Sequence, residues 1–321
     1  MDVEAPTVAV VIPSWNSANL LPECIASVRA QEQAVELMVV DNGSGDGSVE
    51  YLKAEGIPHV TLPSNVGFAR AVNLGVARTG APAVLALNAD TVLEPGSVAT
   101  LAAALTADPG LGGVQPRILQ VEGGAREVAD ARLYSTGQGL TRDGRAFEIG
   151  AGLPQTAPLL CGREVFGVCG AACLLRRELF DRLGGYDERY FAFYEDVDLN
   201  VRGQIAGWRF RYEPEAVVWH LGNASWKAGF DRPAVENARL VARNRLATQV
   251  KFVPLTALPL LAAVEAGSLL RAARARRLGA TLRGKLETLR WLPALLRERR
   301  ELRRGGDPSR ARAWLGTALH G

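Results

Sequence analysis

The stretch FYEDVDLN, Phe193 to Asn200, sets three carboxylates into four consecutive positions: Glu195, Asp196 and Asp198. Tyr190, Phe191, Phe193 and Tyr194 crowd its N-terminal side. Neighbouring carboxylates repel each other, and apolar surroundings make each harder to ionise. A carboxylate tuned in this way can serve as a general base. On a helix, successive residues turn by about 100°, so Glu195 and Asp198 share a face while Asp196 and Asp198 stand about 200° apart. Asp198 lies four residues before Arg202, a spacing that favours an ion pair, and is expected to be structural. Glu195 and Asp196 fall at the helix start, where the macrodipole favours negative charge. The residues alone leave both as candidates for proton transfer.

Two further acids follow strand-like runs. Asp90 closes AVLALNAD and precedes a turn, where a carboxylate can hold Mg²⁺ or Mn²⁺, ions that prefer oxygen ligands and bridge to phosphate. Asp41 closes ELMVVD and opens the glycine-rich DNGSGDGS, whose backbone amides can approach a ligand closely. His220 ends AVVWH, and taken singly it reads as a buried strand-end histidine.

The elements that must position these groups alternate. TVAVVIP, ELMVVD, HVTLP and AVLALNAD read as strands; ANLLPECIASVRAQ, GSVEYLKAEG, GFARAVNLGVARTG and PGSVATLAAALTADP read as helices, the third stopping at Gly80. This alternation implies parallel βαβ units with both sheet faces covered. In such sheets ligands bind beyond the carboxyl ends of the strands, which here carry Ser14-Trp15-Asn16, Asp41-Asn42-Gly43-Ser44 and Asn88-Ala89-Asp90. The first turn reads PSWNSAN, not GxGxxG or GxxxxGK[ST], which disfavours a dinucleotide-binding or P-loop domain. Residues 120–165 are rich in Gly and Arg and read as loops and short strands. ACLLRRELFDRLGG and EDVDLNVRGQIAG read as helices, and WRFRYEP and AVVWH as two strands.

The 321 residues suffice for one large domain or two modest ones. The opening MDVEAPTVAVVIPSWN runs straight into a strand, without a secretory pattern. Cys24, Cys161, Cys169 and Cys173 show no metal-finger spacing and read as reduced, mostly buried thiols of a cytoplasmic protein. The net charge of +3 conceals an asymmetry, because from Lys251 onward 15 Lys or Arg face 5 Asp or Glu. The apolar KFVPLTALPLLAAVEAGSLL is interrupted by Pro254, Pro259, Glu265 and Gly267, which argues against a spanning helix. Beyond it, Leu282, Leu286 and Leu289 interleave with arginines at helical spacing, with Trp291 close by. The combination suits a helix lying in an anionic membrane surface; no nucleic-acid recognition motif accompanies the charge.

Taken in order, VIPSWN, VVDNGSGDGS, NVGFARAVNLGV, LALNADT, the run from Gly170 through GGYDERYFAFYEDVDLNVR, and VWHLGNASW resemble the inverting family 2 glycosyltransferases, above all the rhamnosyltransferase-like members. The resemblance covers roughly residues 7 to 230. It implies a GT-A fold: a mixed, mostly parallel central sheet flanked by helices, with residues 1–230 as catalytic domain and 231–321 as a basic, amphipathic helical extension. It further implies that Ser14 and Trp15, with the adjoining Pro13 and Asn16, line the nucleotide, and that Asp41 hydrogen-bonds the base. Asn65, Arg70 and Asn73 of NVGFARAVN face the nucleotide-sugar. Asn88-Ala89-Asp90 stands where the family carries DXD, the first acid being Asn here; Asp90 is the implied metal ligand, Asn88 a ribose contact, and His220 a second metal ligand. Asp196 is the implied general base, with Glu195 beside it.

The activity implied is transfer of a sugar from a nucleoside diphosphate donor to a glycan or lipid-linked glycan, assisted by Mg²⁺ or Mn²⁺, at the inner face of the cell membrane. Thymidine-diphosphate rhamnose (dTDP-rhamnose) is the first donor expected and UDP-sugars the next. One rival, a nucleotidyltransferase, would need a glycine-rich triphosphate turn with a basic residue, which PSWNSAN lacks. A catalytically silent glycan- or membrane-binding scaffold would not need acids at both Asp90 and Asp196.

Overall fold

A computed structural model describes residues 8–121, 131–155, 161–221 and 233–316. Strand β1 (Val8–Ser14) is an almost wholly buried apolar run, as a strand covered on both faces requires. It pairs in parallel with β2 (Val35–Asp41) and β4 (Ala83–Leu87), and β3 (His59–Thr61) adds in parallel beyond β2. Crossovers carry α1 (Leu21–Arg29), α2 (Ser48–Ala54) and α3 (Phe68–Val76). The register sets Ser14 opposite Asp41, which brings two carboxyl ends level. Helix α3 stops at Val76, short of Gly80.

After β5 (Thr91–Leu93) and α4 (Ser97–Ala107) the sheet becomes mixed. It continues with β6 (Leu111–Gln120), a short inserted set β7 (Arg132–Ser135), β8 (Gln138–Leu140) and β9 (Ala146–Glu148), then β10 (Arg163–Val165) and β11 (Ala172–Arg176). Helices α5 (Arg177–Leu183) and α6 (Glu195–Ile205) precede the long β12 (Arg209–His220). The strand order is β10-β12-β6-β11-β4-β1-β2-β3. Antiparallel β11 sits between β4 and β6, and β6 runs parallel to β12.

Three readings of the sequence need correction. ACLLRRELFDRLGG is not one helix: Ala172–Arg176 is the central strand β11, and only Arg177–Leu183 is helical. A short apolar run looks alike in a buried strand and a buried helix. WRFRYEP and AVVWH form one strand with a register shift between Glu213 and Val217. Strand β6, whose LGGVQPRILQ contains Gly and Pro, was not anticipated.

After β12 come α7 (Pro233–Phe252), α8 (Leu258–Arg274), α9 (Leu278–Gly305) and α10 (Pro308–Arg312). The boundary expected near residue 230 lies outside the described residues, as do Gly222–Trp226 of the last motif. α9 lies along α7, closest at Gly284, where a Cβ would collide with the Arg239 carbonyl. Trp291 is half-buried, with the Arg243 guanidinium 4.9 Å from its ring centre. Leu282, Leu286, Leu289 and Leu296 stay exposed instead. Their spacing sets them on one face of α9.

Candidate active site

A cleft of about 370 Å³ opens at the carboxyl ends of β1, β2 and β4. Of the residues singled out in the sequence, Pro13, Ser14, Trp15, Asn65, Asn88, Asp90, Glu195, Asp196 and His220 line it. Asp41 is buried at the level of Ser14; its Oδ1 accepts from the Ser44 amide at 3.1 Å, while its Oδ2 and the Ser14 hydroxyl have no hydrogen-bond partner among the described residues. Unpaired buried polar atoms at a cleft floor are what a polar ligand would satisfy.

The nucleotide-side loops are pinned by asparagines. Asn16 adopts φ 50°, a left-handed conformation that Asn tolerates. Its amide donates to Ser44 Oγ at 2.9 Å, and its Oδ1 accepts from the Gly45 amide at 3.0 Å. Asn42, from the polar cluster at the strand ends, donates to Asn65 Oδ1 at 3.0 Å and accepts from the Val66 amide at 2.8 Å, fixing the second loop. Four expected nucleotide contacts are not on the cleft wall: Asn16, Asp41, Arg70 and Asn73. Asn73 is occupied in tying α3 to Tyr186, donating to its carbonyl at 2.8 Å and accepting from its amide at 2.9 Å. Arg70 is half-exposed, 3.6 Å from Glu188.

Asp90 and His220 come together from β4 and β12. The pairing of β5 with β12 sets Thr91 opposite His220, so the two side chains meet at 3.2 Å, both buried. Neither ring nitrogen of His220 makes a hydrogen bond with a described residue, and Tyr134 packs edge-on at 4.4 Å. A carboxylate in contact with an imidazole whose nitrogens carry no hydrogen bond with a described residue suits a divalent ion such as Mn²⁺. Among the described residues no set of three or more His, Cys, Asp or Glu is grouped for a metal, so diphosphate oxygens and water would have to complete its shell.

The acids of α6 separate by environment. Phe191, Phe193 and Tyr194 all have positive φ, a strained turn that swings the helix start into the cleft. Asp196 Oδ2 accepts from the Gly170 amide and from Gln138 Nε2, both at 2.9 Å, and Oδ1 accepts from the Val197 amide at 2.7 Å. Burial raises the Asp196 carboxyl above its ordinary range, while these hydrogen bonds hold it down. Glu195 is raised further, by burial and then by the Asp196 charge, and its Oε2 has no partner among the described residues. Of the two neighbours, Asp196 is therefore the better equipped to carry the negative charge, while burial and the Asp196 charge disfavour ionisation of Glu195. Asp198 turns away from the cleft to Arg202 Nε and Lys251 Nζ, each at 2.7 Å, and is held below the usual carboxylate range despite its burial.

Sequence reasoning missed the opposite wall: Tyr134, Gln138, Phe147 and Glu148 of the inserted strands, and Cys169 before β11. They stand in a stretch without periodicity, and no spacing marked them.

The profile of the family described as Glycosyl transferase family 2 matches residues 9–184, more than half of the chain. This chain is a family 2 glycosyltransferase. The N-acetylglucosaminyl-diphospho-decaprenol L-rhamnosyltransferase of Mycobacterium tuberculosis is 31% identical over 235 residues, spanning 66% of this chain and 75% of that protein. An N-acetylglucosaminyltransferase of Mesorhizobium japonicum is 29% identical over 229 residues, with 66% of this chain and 51% of that protein covered. Among solved structures, the Pyrobaculum calidifontis mannosyltransferase PcManGT, in complex with GDP-Man and Mn²⁺, matches with TM-score 0.51 at 19% identity over 96% of this chain and 86% of that one. GalNAc-T7 with UDP, GalNAc and Mn²⁺ matches with TM-score 0.55 at 19% identity, over 75% and 48% of the two chains. The glycosyltransferase has the GT-A fold, with a helical C-terminal region.

Proposed function

We propose that this glycosyltransferase moves rhamnose from dTDP-rhamnose, with inversion, onto a lipid-linked glycan. The observation that carries the reading is one cleft holding two unlike ends: Asp90 in contact with His220, and an Asp196 carboxylate held by three N–H donors. Asp90 and His220 would hold Mg²⁺ or Mn²⁺ against the donor diphosphate. A bound ion there supplies stabilisation of the charge that grows on the leaving diphosphate. Asp196 takes the proton of the acceptor hydroxyl as its oxygen attacks the anomeric carbon from the face opposite the diphosphate. One displacement needs no second nucleophilic acid, consistent with burial and the Asp196 charge disfavouring ionisation of Glu195 and with Asp198 being locked in ion pairs. Trp15, Pro13 and Asn65 offer the wall against which base and ribose would lie.

Rhamnose is supported by the mycobacterial relative's name, and a UDP-sugar is the second candidate. The test is direct. Incubation of dTDP-rhamnose and Mn²⁺ with N-acetylglucosaminyl diphosphate on a short isoprenoid should yield a disaccharide with inverted anomeric configuration, read by NMR. A thermal-shift panel of nucleotide sugars should show its largest stabilisation with the true donor, since ligands of the native state raise the melting temperature by mass action. Asp90→Ala should lose the Mn²⁺-dependent part of nucleoside diphosphate affinity, by about tenfold or more. Equal affinity in mutant and wild type would remove Asp90 from the metal site.

The acceptor's lipid is supported by the tail. Leu255–Arg274 is long and apolar enough to cross a membrane by length and composition, and its apolar window is not buried in the fold. Glu265 on it is paired with Arg245 at 2.6 Å and with Lys285, so α8 is tied to α7 and α9. The leucine face of α9 lies among arginines. This arrangement fits contact with an anionic bilayer surface. Vesicles with anionic lipid should therefore pull down the enzyme at low salt and less at high salt. Substituting Leu282, Leu286 and Leu289 by Glu together should abolish flotation yet leave release of nucleoside diphosphate to water unchanged. Undiminished flotation of that variant would take α9 out of the contact.

A further inference from the structure

Glu148 has no place in the chemistry above, yet it is a carboxyl on the cleft wall. It stands on β9 directly across from Gln138 on β8. Ser135 Oγ donates to its Oε2 at 2.6 Å and Gln138 Nε2 to its Oε1 at 3.1 Å. The same Gln138 nitrogen donates to Asp196 Oδ2, and the Gln138 carbonyl oxygen accepts from Asn200 Nδ2 at 2.9 Å. One amide thus ties Glu148 to Asp196, and Asn200 fixes which way that amide faces. Among the described residues no Lys or Arg pairs with Glu148. Burial and the Asp196 charge raise its carboxyl to about 7. Setting a carboxyl on a cleft wall without a cation is costly. The hairpin does not require it, since a Gln at 148 could keep both hydrogen bonds.

The walls of the cleft assign it a partner. The ends of β1, β2 and β4, with Asp90, take the nucleotide side. The wall built from β8, β9 and the start of α6 takes what remains, and Asp196 belongs to it. A saccharide whose hydroxyl reaches Asp196 has its neighbouring hydroxyls along that wall. Phe147, next to Glu148, adds an aromatic surface of the kind that packs on a sugar ring.

We propose that Glu148 is the acceptor-binding acid of this enzyme: it accepts a hydrogen bond from a sugar hydroxyl beside the attacking one, and with Gln138 it fixes the acceptor relative to Asp196. The proposal rests on Asp196 being the base that faces the acceptor.

The experiment compares Glu148→Gln, Glu148→Asp and Asp196→Asn on dTDP-rhamnose with N-acetylglucosaminyl diphosphate on a short isoprenoid. In Glu148→Gln the acceptor KM should rise about tenfold or more, while donor KM stays at its wild-type value. Glu148→Asp, which keeps the acid, should recover part of the acceptor KM. An unchanged acceptor KM in Glu148→Gln, or a parallel rise in donor KM, would overturn the assignment. If Asp196→Asn transfers normally, the reading of Asp196 is what has failed. A second arm needs no turnover: saturation-transfer NMR of free N-acetylglucosamine and a set of other monosaccharides with the enzyme, Mn²⁺ and dTDP present. Sugars that bind the wild type should lose signal with Glu148→Gln. Equal signals, or no sugar signal in the wild type, would again overturn it.

Discussion

Replacing Asp196 by Asn should lower sugar transfer about a thousandfold while leaving nucleoside diphosphate affinity intact. The side chain keeps its size, so its amide oxygen can still accept from the Gly170 amide and Gln138. Its amide nitrogen, in contrast, would meet the Val197 N–H that now donates to Oδ1, a local conflict costing about 1 kcal/mol. The protein should therefore fold, as a melting curve would show, but it cannot take a proton. Glu195→Gln should do far less, because burial and the Asp196 charge disfavour ionisation of Glu195. Transfer rates for the two variants, beside titration with nucleoside diphosphate and Mn²⁺, separate the candidates. Near wild-type transfer in Asp196→Asn, or a larger loss in Glu195→Gln, would reverse the assignment. The pH profile supplies an independent check. Protonated Asp196 is inactive and burial raises its carboxyl, so the rate should fall on the acid side with a midpoint above the ordinary aspartate value of about 4.

What could be read in the sequence follows from how local the signal was. The parallel half of the sheet has strands and helices long and periodic enough to declare themselves, and Asp41, Asn88 and Asp90 were recognisable because each sits at the end of an apolar run. Helical geometry alone separated Asp196 from Asp198, and the pairing of Asp198 with Arg202 at 2.7 Å agrees with it, but Glu195, expected on the face of Asp198, lines the cleft beside Asp196. What the sequence hid depends on tertiary pairing. Ala172–Arg176 is a strand because β4 and β6 flank it, not because its residues prefer that state. Gln138 and Glu148 matter because a two-stranded hairpin is folded against the start of α6. Nothing in the sequence forecast that Asn73 would be occupied by Tyr186, 113 residues away. Nor did it reveal that a lysine of the basic tail would be buried among carboxylates of the catalytic body.

That lysine, Lys251 on α7, is the basis of the second large effect. Its Nζ lies 2.7 Å from Asp198, 2.9 Å from Asp187 and 3.1 Å from Glu298, and it is almost wholly buried. Asn244 on the same helix donates to the carbonyls of Tyr190, Ala192 and Phe193, the strained turn that aims Asp196. Lys251→Met should cost about 3 kcal/mol, because removing one partner of a buried ion pair strands the other. Arg202 and Arg189 still serve Asp198 and Asp187, which keeps the loss at the lower end for such a change. Removing one of the stranded anions as well, with Asp198→Asn, should restore part of it in denaturant titrations. The sign with pH is fixed by the carboxylates. Asp187 and Asp198 are both held below their unfolded values, by Arg189 and Lys251 for the first and chiefly by Lys251 and Arg202 for the second. The stability they contribute is present above about pH 4 and lost as pH falls through their folded values. Wild-type stability should thus decline on acidification below that point, and Lys251→Met should decline less steeply. A loss under about 1 kcal/mol would place the network with exposed ion pairs and would mean that α7 merely lies against α6. The larger loss would mean that α7 braces the turn before α6, so that removing the tail should abolish transfer.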